Sequence, residues 1–391
     1  MNISLQSKSG ITAIILTIML TSACEKMIIF KPRVHIDPLP KTKSEETMVQ
    51  ADPMVSEQWY LSQIGITPEY LETGSLEGNY NVKVAILSTG IDYNHEDLIG
   101  QVSINHKEIT NNRPGLADHE KLNYEDDDND GLVDNVVGWD YVEGDGLAYD
   151  RHGAGTAVAG IIGAKQNNGI GITGMMNKVS LYPIRYIDSN GHANVVSLIV
   201  ALDHAAKVKP DVIYLQSIDV YTRMPGFGGP VDETEIKFIE KSLKGIQDLG
   251  IPVIVGAGET MGEFGTRNIE KTFLGFDNVV VVTSTNKTGQ KSFLAARGFD
   301  TVMTAAPGDD ILTTKPNNTY GSVNGTAYAA AMVAGAYAQA VAKIGNRVDY
   351  QELNSLVLSG PASDRLPDLI GINRGGNKIN VQKLLSHLDG Y

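Results

Sequence analysis

From about Gln58 onward the chain alternates short aliphatic, β-branched runs with stretches in helical spacing, and that alternation restricts the folds open to it. Val82–Leu87, Val179–Ile184, Val212–Leu215, Val253–Val255 and Val279–Val282 are brief, nearly continuous apolar runs. Such runs suit strands covered on both faces of a parallel sheet. Between them Val195, Leu198, Ile199, Leu202 and Ala205 recur at helical spacing, as do Ile236, Ile239, Leu243 and Ile246. Asp232 and Glu235 precede the second set as a capping box. Strands and helices in this order predict right-handed crossovers and a three-layer α/β domain.

Composition narrows the function classes. The chain carries 46 acidic against 32 basic residues, a formal charge of −14. A surface of that sign repels phosphate backbones, so no nucleic-acid partner is expected. One cysteine among 391 residues excludes an intramolecular disulfide and any cysteine-built metal site. That cysteine, Cys24, follows Ile11–Leu20, a mostly apolar run of ten residues. A spanning helix needs about 20 apolar residues, so the run reads as the core of a secretory signal. Thr21-Ser22-Ala23-Cys24 resembles a bacterial lipobox. The expectation is therefore a lipoprotein signal peptide over 1–23, a lipid on Cys24, a tether over 24–55 and a domain over 56–391. The tether mixes proline and charge without a period. The implied location is the bacterial envelope, held by lipid at the outer membrane or cell surface.

Six segments carry a resemblance to one family: AILSTGIDYNHEDL (85–98), DDDNDGLVDNVVGWDYV (126–142), DRHGAGTAVAGIIGA (150–164), QNNGIGITG (166–174), AAPGDDILTT (305–314) and NGTAYAAAMVAGA (324–336). In this order they resemble the subtilisin-like serine proteases, the subtilases. The resemblance implies a three-layer subtilisin-like α/β fold with a mainly parallel central sheet, and an Asp-His-Ser triad. In a triad the serine attacks, the histidine takes its proton and the aspartate orients the histidine. At the implied positions this chain has Ser88 for the aspartate, Ala154 for the histidine and Ala327 for the serine. Glu259 stands where the family places an asparagine that donates to the oxyanion.

Losing the serine or histidine of a subtilisin, a member of the family this chain resembles, costs about 10⁶ in turnover. A carboxylate about 4 Å from a developing oxyanion adds roughly 4 kcal/mol of repulsion at an effective dielectric near 20. The neighbours His152, Ser322 and Thr326 are displaced in sequence from those positions. A shift of one or two helical positions turns a side chain away by about 100° or 200°. Asp92, His95 and Asp150 read as turn-forming residues. Gln216-Ser217-Ile218 replaces the family's S-L-G at the strand that pairs with substrate, and the stretch after Cys24 is too short to fold as an inhibitory propeptide. The expectation is a pseudoprotease and no enzyme: a lipoprotein that binds or scaffolds, with a peptide or protein ligand in the former groove. The alternatives are an active subtilisin-like endopeptidase using non-standard residues and a purely structural surface lipoprotein.

Calcium is the expected cofactor. Asp126, Asp128, Asp130, Gly131 and Asp134 form D-x-D-x-D-G-x-x-D, in which alternate carboxylates and the Leu132 carbonyl can converge on a hard cation. Val137 at the twelfth position rules out an EF-hand. The loop from Gln166 to Ile172 resembles a second calcium loop of the family. Its implied ligands are Gln166, Asn168, Ile170 and Ile172, with Asp97 as the carboxylate.

Overall fold

Alternation along each central strand sorts the side chains into two cores. In β1 (Lys83–Ser88), Val84 and Ile86 join one apolar cluster while Ala85 and Leu87 join the other. The same division runs through β4 (Val212–Leu215), β5 (Val253–Gly256) and β6 (Val279–Thr285). A sheet buried on both faces must be covered by helices on both, which gives three layers. The structure is a computed structural model that describes residues 40–41, 50–67, 71, 80–109, 122–216 and 231–390. The signal segment, Cys24 and most of the expected tether lie outside the described residues. Those from Gln50 onward fall within one unit, Asp37–Tyr391.

The remaining strands are β2 (Trp139–Asp140), β3 (Ser180–Arg185), β7 (Thr304–Pro307), β8 (Ile311–Lys315), β9 (Thr319–Val323), β10 (Ser363–Arg365) and β11 (Asn377–Ile379). Among the described residues the main sheet runs β10-β11-β7-β6-β5-β4-β1-β3-β2, parallel except for the β10–β11 pair. An antiparallel hairpin, β8–β9, stands apart from it. The five apolar runs read from sequence all form strands, and Val212–Leu215 has the bounds expected.

Among the described residues the helices include α1 (Trp59–Gln63), α2 (Ala154–Gly163), α3 (Val195–Val208), α4 (Glu233–Asp248) and α5 (Asn268–Leu274). The last three are α6 (Thr326–Ile344), α7 (Tyr350–Val357) and α8 (Val381–Leu388). The α4 capping box is formed as expected. Asp232 accepts from the Thr234 and Glu235 amides at 2.8 Å, and Glu235 accepts in return from the Asp232 amide at 2.9 Å. One cluster joins α2 and α6 to the sheet, and the other joins α3, α4 and α5. Helix α6 is buried through most of its length, and its run of alanines lets it lie close to β5, β6 and β7.

Helix α2 also lies against the sheet, and all ten of its residues are buried. Its Gly155 approaches the turn after β1 so closely that a Cβ there would lie 1.9 Å from the Gly90 carbonyl oxygen. Gly90 itself adopts φ +99°, open to glycine at little cost. Backbone cannot yield as a side-chain tip can, so Gly155→Ala should destabilise the fold by about 2–3 kcal/mol or more. Gly245→Ala, on exposed α4 with nothing within 4 Å of the new methyl, should stabilise by up to about 1 kcal/mol. Denaturant melts of the two variants check the opposite signs.

Candidate active site and cation loops

Three neighbouring strand ends line up at the carboxyl edge of the sheet. Leu87 of β1 pairs with Leu215 of β4, and Leu215 pairs with Val255 of β5. The next residues, Ser88, Gln216 and Gly256, therefore stand level, and Glu259 follows three residues on. Above this row come the entrances of the two most buried helices. Ala154 is the first residue of α2, and Ala327 the second of α6. The ends of open parallel sheets are where such folds hold ligands.

Ser88 is fully buried, and its hydroxyl donates to Gln216 Oε1 at 3.0 Å. The Tyr214 hydroxyl donates to the same oxygen at 3.1 Å. Burial pushes the Tyr214 phenol well above its usual range, so it remains a neutral donor. Ala154 and Ala327 are 5% and 6% exposed. Glu259 Oε1 accepts from the Thr326 amide at 2.5 Å, at the start of α6. Gly325, the residue before the helix, has no side chain to cap it, so the carboxylate supplies the cap. Tyr328 is pushed up to about 12, by burial first and then by the charges of Asp150 and Glu259.

Asp150 holds the other helix entrance. Its Oδ1 accepts from Thr89 Oγ1 (2.9 Å), the His152 amide (2.9 Å) and the Gly153 amide (2.8 Å). Its Oδ2 accepts from the Thr156 amide (2.8 Å) and Oγ1 (2.7 Å). The turn role expected of Asp150 is thus a helix cap. Asp92 accepts from the Asn94 and Asn317 amides, again as a turn residue. His95 is buried, which holds its pKa low; Nδ1 accepts from the Asp97 amide and Nε2 lies 3.1 Å from the Thr319 carbonyl. The neighbours considered as substitutes do not gather here. His152 is exposed beside Gly191, Ser322 is exposed on β9, and the Thr326 hydroxyl accepts from the Gly258 amide at 2.8 Å. Ser217 and Ile218 lie outside the described residues.

The acidic loop brings together Glu108, Asp126 and Asp128, with one carboxylate oxygen from each within 4.8 Å of the others. These residues could hold a metal ion. Sequence reading misses Glu108. It sits 18 positions upstream of Asp126 in a short turn of helix, fully buried, accepting from the Asp128 and Asp134 amides at 3.0 Å. A buried glutamate beside an acidic run is the signal that would find it. Burial raises the pKa of Glu108 and of Asp130. Asp130 accepts from the Leu132 amide and from Asn135, while both oxygens of Asp134 accept from the Asn123 and Tyr124 amides.

In the second loop Asp97 accepts from the Asn168 side chain and the Ile172 amide, both at 2.9 Å. The Asn168 oxygen accepts from the Ile170 amide, and Gln166 donates to the Gly174 carbonyl. Sequence reading also misses Asp52, which accepts from the Asn167 and Asn168 amides at 3.0 Å and from the Thr173 hydroxyl. It arrives on a strap from the stretch assigned to the tether: Gln50 bridges to Asn168, and the Met54 amide donates to the Gly171 carbonyl at 2.9 Å. Asp97 is pushed up to about 7, mainly by burial, with the charge of Asp52 adding to it.

The order of strands and the placing of both helix entrances agree with kinship to known proteins. The profile of the subtilase family matches residues 79–360. The chain belongs to the subtilase family. It is 29% identical over 313 residues to subtilisin-like protease 1 of Plasmodium vivax, covering 78% of this chain but 47% of that one. Thermitase of Thermoactinomyces vulgaris is 27% identical, with 73% of this chain and 82% of that one covered. The major intracellular serine protease of Bacillus subtilis (strain 168) is 29% identical, over 66% and 67%. A solved cold-adapted subtilisin-like serine proteinase superposes with a TM-score of 0.59 at 19% identity, over 83% of this chain and 97% of that one, which supports the fold. The chain spans under half the length of the Plasmodium relatives.

Kinship with a family of proteases implies a groove that takes peptide, and it corrects one expectation. From sequence, the replacements at Ser88, Ala154, Ala327 and Glu259 mark a protein that is no enzyme. The matched relatives are proteases by name, and the site keeps two polar groups, Ser88 bonded to Gln216 and Asp150 bonded to the His152 amide. That expectation counts Glu259 only as a lost oxyanion donor and leaves out the place its carboxylate holds at the α6 entrance. Among the described residues no helix is long and apolar enough to cross a membrane.

The acidic loop gathers carboxylate oxygens, a set suited to a hard divalent cation. Without a cation the folded chain retains a proton near Asp97 that the unfolded chain releases above about pH 4. Stability of the cation-free protein should therefore fall as pH rises from about 4 to 7. Thermal melts at pH 5 and pH 8 in the presence of chelator check this. Glu108→Gln should remove part of the gain in Tm that an added divalent cation gives.

Proposed function

We propose that the chain acts on extended peptides as a subtilisin-like endopeptidase with non-standard catalytic groups, Glu259 serving as the base. The observation that carries this reading is the Glu259 carboxylate fixed against the Thr326 amide, beside Ala327 at the helix entrance. There it can take a proton from a water whose oxygen adds to the scissile carbonyl carbon. The same proton then passes to the leaving nitrogen as the C–N bond breaks. General-base catalysis is worth about 10²–10⁴, far below a full triad, so turnover is slow. The protease names of the matched relatives support the reaction class.

The test is cleavage of a quenched fluorogenic peptide by the full chain. Turnover above a protein-free control is expected, with Glu259→Gln slower by about 10²-fold or more. Absence of cleavage, or equal cleavage by E259Q, overturns the reading.

Two further features complete the proposal. The cation is calcium, supported by the carboxylate-rich D-x-D-x-D-G loop and buried Glu108. The protein is held at the bacterial envelope by a lipid on Cys24, supported by the apolar run and small residues that precede it. Cys24→Ala should shift the protein from the membrane fraction to the soluble one; undiminished membrane retention would refute the anchor.

A further inference from the structure

The row of strand ends contains two polar side chains, Ser88 and Gln216, that neither the capping of α2 nor that of α6 uses. Gln216 extends from the end of β4, its amide donating to the Leu87 carbonyl at 2.9 Å. It stands between Ser88 on β1 and the β5 end that leads to Glu259. Its carboxamide oxygen receives two hydroxyl protons, from buried Ser88 at 3.0 Å and buried Tyr214 at 3.1 Å. Two donors on one oxygen fix the carboxamide plane and occupy that oxygen. What the side chain retains for a ligand is its Nε2, a donor with two N–H groups.

The neighbouring donor, the Thr326 amide, already gives its proton to Glu259. A peptide laid across the strand ends presents carbonyl oxygens, and each one left unpaired costs about 1–3 kcal/mol. We propose that Gln216 Nε2 is the donor that holds a main-chain carbonyl of the bound peptide, with Ser88 and Tyr214 as the positioning residues that aim it. This assignment rests on the peptide-directed reading above. Ser88 then orients a carboxamide rather than an imidazole. The ligand class selected is extended backbone rather than any particular side chain.

The experiment is direct binding, so that it can be separated from turnover. A fluorescein-labelled hexapeptide of alanine and glycine, whose contacts are almost all main chain, is titrated with full-length protein by anisotropy. Gln216→Glu keeps an oxygen for both hydroxyls but loses the N–H donor. It should weaken Kd at least fivefold while leaving Tm within a degree or two. Ser88→Ala and Tyr214→Phe should each weaken Kd by a smaller factor, and Gln216→Asn should recover part of the loss. Equal Kd in wild type and Q216E, a loss of Kd that tracks a loss of Tm, or no peptide binding by wild type overturns the proposal. Intact Kd effects without cleavage would leave Gln216 in place and refute only the base role of Glu259.

Discussion

Asp150 is the interaction on which the site depends. Its carboxylate lies at the entrance of α2 and gathers five donors, from Thr89, His152, Gly153 and Thr156. A buried carboxylate is costly unless its lone pairs are filled, and here they are. Because Thr89 follows β1 directly, the same group fixes the strand end, the turn and the helix entrance against one another. The Gly155–Gly90 contact is possible only with that alignment, and it sets where Ala154 can stand.

The α6 entrance is built on the same physics with a different partner. Gly325 leaves the helix without a side-chain cap, and Glu259 reaches from the β5 loop to supply one. Each entrance thus has a carboxylate against its amides, in keeping with the positive end of a helix dipole. The difference is access. Asp150 is 1% exposed and wholly engaged, whereas Glu259 is half-buried at the groove.

The layers are legible in the sequence because burial on both faces imposes unbroken apolar runs, and the α4 cap because it is local. The two acidic loops are legible only in part. Asp126 and Asp128 advertise themselves by spacing, but Glu108 and Asp52 reach their loops through the folding of distant chain. No period links them to their partners. The Gln216–Ser88–Tyr214 cluster is hidden for the same reason: its three members are joined by sheet register across β1 and β4, which sequence spacing does not encode. The expectation of no activity fails in a different way, by judging chemistry from four identities without the groups around them.

The strap that carries Asp52 has a bearing on where the folded unit starts. Gln50 pairs with Asn168, Met54 with Gly171, and Gln58 with Thr173, so the strap runs beside the loop like an added edge. Further back, the Lys41 amide donates to the Asn94 side chain at 2.7 Å. A fragment begun at residue 56, where helical pattern first suggests a domain, would discard one of the two buried acids and expose the other's loop to water. Residues 50–58 thus pack along the loop that holds Asp97, inside what composition alone marks largely as linker.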